Sequence, residues 1–587
     1  MTSSSDTNLG FLIRIVVVAA LGGFLFGFDT AVINGAVPVL RAMFTEPGST
    51  FAAGFEASQV DLIVGQSVAI ALIGAAIGAF SAGPLTNRIG RKPAMVIASV
   101  AFLASAIGSG APFTIVDFTF WRFLGGLAFG AASVIAPAYI AEVSPAHLRG
   151  RLGSMQQLAI VVGIFVALMS NLLIAQASGG AAEAWIGGFA AWKWMFWIEA
   201  LPAALYGILA LGIPESPRYL VTKDRDDEAR GVLSRVLGSQ AADAKIAEIH
   251  GTLSSEHKPR LADILGPGVF KKIVWLGIGL SVFQQFVGIN VVFYYSNLLW
   301  ESVGLSEDQA FINTAIGGAT NVLTTFIAIA LVDKIGRKPL LAFGSIGMAL
   351  SLGVMAFVFN AAPLNPDKIN LTVPAEVSGQ YTITVETRGT EGVIETVQMP
   401  ITIEADADQE ETKSVSLDFR PVLGESRGTT EIALRDLPPN ATIIDPAAKQ
   451  GDITVTDDEV TTKRFTLKPD LTGDQRTMGI ITLIALNLFI ISFGASWGPI
   501  VWVMLGEMFS NQIRGAGLAV AASAQWGANY LISATFPLMA SASLAFAYGF
   551  YSVSAIISLI FVLVLIPETK GKELEEMGEL EAGGKQA

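Results

Sequence analysis

The sequence predicts an all-α membrane protein: twelve transmembrane helices in two six-helix bundles, interrupted by an inserted extracytoplasmic β-sandwich-like domain. Three observations carry this reading. Of the 587 residues, 52% are hydrophobic and 15% charged, with a mean hydropathy of +0.56, whereas soluble domains carry about 25% charged residues. Apolar runs long enough to cross a bilayer, roughly 20 residues, fall in two sets of six. Two motifs then recur in both sets. Cysteine is absent, which excludes disulfides and thiolate chemistry. Three scattered histidines, without ligand spacing, give no His-based metal site.

The polar start, Met1 to Leu9, runs into Phe11–Phe28, which reads as the first span rather than a removed signal peptide. Spans begin near Leu12, Val60, Pro93, Phe118, Leu152 and Trp192, and again near Ile273, Asp308, Pro339, Met478, Gly515 and Ser543. The expected organisation is a first bundle over 1–213, a charged linker with short amphipathic helices over 214–272, three helices over 273–360, the insert over 361–477, three more helices over 478–566, and a tail over 567–587. Arg88, Arg91, Lys92, Arg149, Arg151, Lys334, Arg337, Lys338 and the basic residues of the linker all fall on one side of a twelve-span count. Positive charge favours the cytoplasm, so both termini are expected there.

Asn87–Pro93 (NRIGRKP) returns as Asp333–Pro339 (DKIGRKP), and Ala141–Gly150 (AEVSPAHLRG) as Gly506–Gly515 (GEMFSNQIRG). The first offset is 246 and the second 365. Two motifs repeated together mean duplicated bundles, and the difference locates about 119 extra residues between the third and fourth spans of the second half. That stretch alternates polar and apolar residues at Tyr381–Val385, Val397–Ile403, Thr430–Leu434 and Lys463–Leu467, with turn residues between, as strands do. It carries 21 acidic and 11 basic residues, so it holds most of the chain's net charge of −13. Its acidic clusters lack a defined calcium loop and read as a solvated face.

The repeated loops place Arg91 near Glu142 and Arg337 near Glu507, pairs expected to latch the cytoplasmic side shut; plain topology-setting charge is the alternative. Charge within the spans is scarce, so Asp29, Arg122 and Glu199 stand out. An Asp that alternates between pairing with arginine and taking up a proton is the minimal device for proton coupling; a permanent ion pair is the alternative. Gln284, Gln285 and Asn290 put three carboxamides within two turns of an apolar run, and Trp497, Trp502, Gln525, Trp526 and Asn529 follow late in the chain. Flat aromatic faces with carboxamides suit a sugar. A carboxylate or phosphate solute would ask for several inward arginines, and Arg122 stands alone.

These stretches, GFDTAVING, GRKP twice, PESPRYL (Pro214–Leu220), QQFVGIN and PETKG (Pro567–Gly571), resemble the sugar porter family of the major facilitator superfamily across both bundles and the linker. The resemblance implies the major facilitator fold and alternating access about a monosaccharide at the midplane. It implies sugar contacts from Gln157, Gln284, Gln285, Asn290, Asn321, Trp497, Gln525 and Trp526, a site lined by Phe26, and an external gate of Tyr294 and Tyr295. Proton-coupled members share Asp at the Asp29 position and match Arg122 and Glu199, which favours symport with the proton as coupling ion and no other cofactor. Ile164 and Phe293 look like hexose-carrying members. The insert departs from the family, whose connection at this point is short.

The sequence reading is therefore a proton-coupled monosaccharide symporter of a plasma membrane, hexose before pentose, with no enzymatic activity, no metal and no nucleic-acid partner. A passive facilitator of the same fold is one alternative. A sugar receptor or adhesion protein, using the external domain of 361–477 for an unknown partner, is the other.

Overall fold

The computed structural model describes residues 8–45, 51, 55, 59–145, 148–255, 264–266, 269–302, 307–361, 473–509 and 513–570, together with seven strand segments between 368 and 454. The first half holds α1 (Leu9–Val32), α2 (Val37–Thr45), α3 (Val60–Ile89), α4 (Arg91–Gly110), α5 (Ile115–Val143), α6 (Arg149–Ser178), α7 (Ala191–Trp197) and α8 (Ala200–Gly212). The linker forms α9 (Pro217–Val221), α10 (Asp226–Leu237) and α11 (Ser239–Ser255), then a short antiparallel pair, β1 (Leu265–Gly266) and β2 (Val269–Phe270). The second half holds α12 (Lys272–Phe286), α13 (Ile289–Ser302), α14 (Glu307–Ile335), α15 (Arg337–Ala361), α16 (Gly473–Gly494), α17 (Trp497–Glu507), α18 (Arg514–Ala542) and α19 (Leu544–Leu565).

Among the described residues, eleven stretches are long and apolar enough to span a membrane, four of them assembled from two helical pieces. α18, which holds the expected eleventh span, has 29 residues, but Gln525, Asn529, Tyr530 and Ser533 dilute its apolar content. That composition suits a helix turned towards other helices rather than lipid, and α18 packs against α3 and α12.

Local chemistry sets the helix ends. The Asn8 side chain accepts from the Phe11 amide at the start of α1, and Thr114 does the same for Asp117 at the start of α5. Between α3 and α4 the chain turns at Gly90 (φ +98°), and between α14 and α15 at Gly336 (φ +105°); this left-handed region favours glycine. The following helix starts need partners for their orphan amides. A carboxylate from elsewhere supplies them: Glu215 accepts from the amides of Arg91 (2.9 Å) and Lys92 (3.2 Å), and Glu568 from those of Arg337 and Lys338 (both 3.0 Å). Burial pushes the Glu568 carboxyl up, yet the amides of Lys570, Arg337, Lys338 and Thr569 hold it below its ordinary value. Its bracing is thus complete above the usual carboxylate range and lost as pH falls through the lowered value.

The expected latches form, but not as locks between bundles. Arg91 reaches Glu142 at 2.7 Å within the first half, and Arg337 reaches Glu507 at 2.8 Å within the second. Each glutamate also accepts a hydroxyl of its own half, Ser216 at 2.5 Å and Thr569 at 2.7 Å. The two clusters match in their residues, though Arg337 Nε also donates to Glu507 while Arg91 Nε has no partner, so the duplication read from the motifs reaches the hydrogen-bond network. These clusters mark one end of the molecule, the basic end. Both brace helices inside a bundle.

Hydrogen bonds that join the bundles are found towards the opposite end. Asn34, in the short 3-10 turn after α1, donates to the Phe293 carbonyl (3.0 Å) and to Ser296 (2.8 Å) on α13, and Tyr530 on α18 donates to Gln66 on α3. At or towards the basic end, Gly83, Gly153, Gly506 and Gly527, on four different helices, have nothing within 4 Å of where a Cβ would stand. Inside the first bundle, by contrast, α3 and α5 meet through glycines. A Cβ on Gly126 would run into the Ala71 carbonyl, and one on Gly130 into that of Ala75.

The insert region carries β3 (Lys368–Pro374), β4 (Gly379–Arg388), β5 (Ile394–Ile403), β6 (Thr412–Asp418), β7 (Glu431–Arg435), β8 (Thr442–Ile444) and β9 (Ile453–Thr454). They pair antiparallel in two sheets, in the orders β6-β3-β8-β9 and β5-β4-β7. The stacking of one sheet on the other that defines a sandwich lies outside the described residues, as does the expected strand at Lys463–Leu467.

Gly126→Ala is expected to destabilise the first bundle by about 1–3 kcal/mol through overpacking, read as a lower unfolding midpoint in detergent. Gly83→Ala, placed in open space, is expected to leave the midpoint unchanged. Equal midpoints for the two would contradict a close-packed α3–α5 seam.

Candidate functional site

Helix breaks position the polar side chains. α12 stops after Phe286 and α13 starts at Ile289, with Gly288 (φ +83°) between them and the Tyr551 ring against its Cα. Gln284 and Gln285 therefore lie in the last turn of one piece and Asn290 in the first turn of the next. Asn290 donates to Gln285 Oε1 (2.5 Å), and Gln285 donates to Gln284 Oε1 (3.2 Å). Gln284 in turn donates to the carbonyls of Trp497 (2.9 Å) and Gly498 (3.2 Å), at the break between α16 and α17. The three amides tie two interrupted helices together. A second N–H on Gln285, and both a donor and an acceptor on the half-buried Asn290, remain outside this chain.

α18 brings further groups to the same level. Gln525 is 5% exposed and its Oε1 has no partner; Trp526 is 3% exposed and its Nε1 has none. The Trp526 ring stands edge-on to Phe26 of the other bundle (5.4 Å) and beside Phe129 (5.6 Å), while Phe26 and Phe129 stack at 5.2 Å. Phe129 is a contact the sequence did not single out, since one more phenylalanine in an apolar run carries no signal. Gln157 is half-buried on α6. Asn321 is buried on α14, with its Oδ1 3.1 Å from where a Cβ on Gly494 of α16 would stand.

Trp497 is not available as a solute contact. Its ring is fully buried, and its N–H is bonded to the Leu341 carbonyl and Ser345 Oγ of α15, both at 3.0 Å. Five residues along the same helix is a rotation of about 140°, and there Trp502 is only half-buried. The helices packed closely on α17 all belong to its own bundle, so the face with Trp502 and the exposed Gly506 is the one its bundle leaves uncovered.

Tyr294 and Tyr295 are buried side by side, ring centroids 6.5 Å apart. Tyr295 donates to the Ser533 carbonyl (2.9 Å), and Tyr294 stands within hydrogen-bonding reach of Asn529 and electrostatic reach of Arg122 and Asp29. Two of the bonds that join the bundles at this end come from Asn34, the asparagine of GFDTAVING, for which the sequence suggested no role.

The third cluster is charged. Arg122 Nη1 meets Asp29 Oδ1 at 2.7 Å, and its Nη2 meets the Asp29 carbonyl at 3.1 Å. Glu199 sits at the break between α7 and α8 with its carboxylate beside that of Asp29. All three residues are at most 1% exposed, and Asp29 Oδ2 and both Glu199 oxygens have no donor. Two carboxylates against one guanidinium leave one uncompensated charge in a low-dielectric site, unless one carboxyl holds a proton.

The family model described as "Sugar (and other) transporter" matches residues 15–373 and 465–580. The chain belongs to this sugar transporter family. The match breaks off between 374 and 464, the stretch that carries β4 to β9. The chain is 47% identical to a glucose transport protein of Synechocystis, across 98% of each, and 32% identical to the D-xylose-proton symporter of Escherichia coli, across 98% of this chain and 97% of that one. Among solved structures it resembles the E. coli xylose transporter XylE in a partially occluded inward open conformation (29% identity, 96% of this chain and 100% of that one, TM-score 0.68). It also resembles the same symporter bound to 6-bromo-6-deoxy-D-glucose (31% identity, 98% and 99%, TM-score 0.67). These are sugar porters of the major facilitator superfamily, transporters rather than enzymes, and they give no support to a receptor.

Because the chain has no cysteine of its own, paired spin labels at the exposed Phe113 and Phe546, one per bundle, report the end opposite the basic loops. Asn34→Ala is expected to lengthen their mean separation; an unchanged distance distribution would show that Asn34 does not hold this end closed.

Proposed function

We propose that this chain is a proton-coupled monosaccharide symporter that carries hexose in preference to pentose and works by alternating access, with the proton as coupling ion. The observation that carries the reading is the buried set of Asp29, Arg122 and Glu199, in which the guanidinium pairs with one carboxylate and the second stands beside it without a donor. Protonation of one carboxyl neutralises the cluster and frees the Asp29–Arg122 bond to rearrange, while deprotonation restores it. A passive carrier has no need of the second carboxylate. The likeness to a xylose-proton symporter supports coupling, and the higher identity to a glucose transport protein supports hexose.

In this reading the sugar lies against Gln157, Gln284, Gln285, Asn290, Asn321 and Gln525, with Phe26 and Trp526 offering ring faces and Trp502 taking the place first expected of Trp497. Tyr294 and Tyr295 form the external gate, which Asn34 closes. The basic end faces the cytoplasm of a plasma membrane, as do both termini, so the conformation is open inwards. The strands of the insert then belong to an extracytoplasmic β-sandwich, free to meet an external partner.

Asp29→Asn is expected to abolish sugar accumulation against a gradient in proteoliposomes and to leave sugar exchange at equilibrium within about twofold. Accumulation that survives the change would sink the coupling role of Asp29 and favour the passive carrier. Joining residue 361 to 477 is expected to preserve uptake; loss of uptake in a correctly inserted protein would make the insert part of the transport machine.

A further inference from the structure

Two turns along α1 from Asp29, towards the basic end, a second group of buried polar atoms stands without partners. Tyr206 of α8 is completely buried and its hydroxyl has no hydrogen bond. Gln156 of α6 is 7% exposed, and neither its oxygen nor its nitrogen is bonded. Both arrive at α1 over consecutive glycines. A Cβ on Gly22 would stand 2.9 Å from Tyr206 Oη, and one on Gly23 2.6 Å from Gln156 Nε2. An alanine at either position would therefore cover the polar group in front of it.

The polar side chains of the first bundle thus form two tiers. Seven residues of α8 separate Glu199 from Tyr206, and seven of α1 separate Asp29 from Gly22, about 10 Å in each case. The upper tier holds Asp29, Arg122 and Glu199. Among the described residues no charged side chain stands against Gly22 or Gly23, and Ala132 borders Gly22, while Leu25, Phe129 and Ala203 are buried and make the surroundings apolar. In such a place an unpartnered hydroxyl or amide costs about 1–3 kcal/mol, which phenylalanine and leucine would avoid. Water is the partner that fits two polar groups over a glycine step, since each buried water uses about three hydrogen bonds.

We propose that Tyr206 and Gln156 hold water over Gly22 and Gly23, and that this tier is the basic-end half of the route by which the proton of the Asp29–Glu199 pair leaves. The proton passes from a carboxyl to water as one O–H bond breaks and another forms. Tyr206 Oη then accepts a proton from water on one side and gives its own to water on the Gln156 side, so Tyr206 is neutral before and after. The proton leaves at the basic end as hydronium, and the carboxylate remains behind. The proposal rests on the proton-coupled reading above.

Tyr206→Phe keeps the ring and removes the hydroxyl. In proteoliposomes it is expected to slow sugar-driven proton uptake and uphill accumulation about tenfold, with a larger solvent deuterium effect, while equilibrium exchange, which needs no net proton release, keeps its rate. Gln156→Leu is expected to act in the same direction and Gln156→Asn to retain more of the uphill rate than Gln156→Leu. Wild-type uphill rates in both Tyr206→Phe and Gln156→Leu would overturn the route, as would an equal loss of exchange, which would make the tier a packing element. Accumulation that survives Asp29→Asn is a separate result: it would remove the coupling reading, and this route with it.

Discussion

A polar group surrounded by hydrocarbon has to find its partner within the chain, and most of this structure follows from how that demand is met. Unbroken helices satisfy their own backbone. Where helices stop inside the bundle, between α7 and α8, α12 and α13, and α16 and α17, backbone groups and polar side chains meet. The carbonyls of Trp497 and Gly498 receive Gln284, and the amides at the starts of α4 and α15 receive Glu215 and Glu568. The same demand makes the exceptions informative. Glu199, Gln525, Trp526, Tyr206 and Gln156 are buried with polar atoms unmet, and these are atoms with capacity left for a solute, a proton or water.

The two bundles share an ancestry but divide the chemistry. Their basic ends match residue for residue, from the glycine turns to the hydroxyl on each glutamate. Their interiors do not match. The first bundle puts a carboxylate at its helix break and a guanidinium opposite, while the second puts carboxamides at its breaks. Tyr294, on the second bundle, stands within electrostatic reach of the charged pair on the first. The charged cluster of one half and the amide-bearing face of the other thus approach each other at Tyr294.

Much of this architecture was legible in the residues. Span positions and the duplication followed from long apolar runs and from paired motifs whose spacing leaves few alternatives, and Gln284, Gln285 and Asn290 stood out because amides in hydrocarbon need a reason. What the sequence concealed depends on rotation about a helix axis. Trp497 and Trp502 are both tryptophans in one span, and only the N–H bonded to Leu341 and Ser345 shows which one faces inward to its own bundle. The pairing of Arg91 with Glu142 was foreseen, but whether it bridged or braced depended on where the bundles touch. Gln156 drew no notice beside Gln157, because neighbouring residues on a helix differ by about 100° and sequence alone does not say which of them meets α1.

The position of the insert also has a consequence for how such a chain can evolve. It enters after α15 and returns to α16, and these two helices pack on each other within one bundle. Their separation is fixed by that packing, so a rocking motion of bundle against bundle neither stretches nor slackens the connection. Extra length there is paid mainly as loop-closure entropy, which grows only slowly with residue number. A connection between bundles would enjoy no such neutrality, because every added residue would alter the coupling of the two moving bodies. The junction between α15 and α16 is thus a mechanically silent address, where a carrier can acquire a new outer surface without renegotiating its transport cycle.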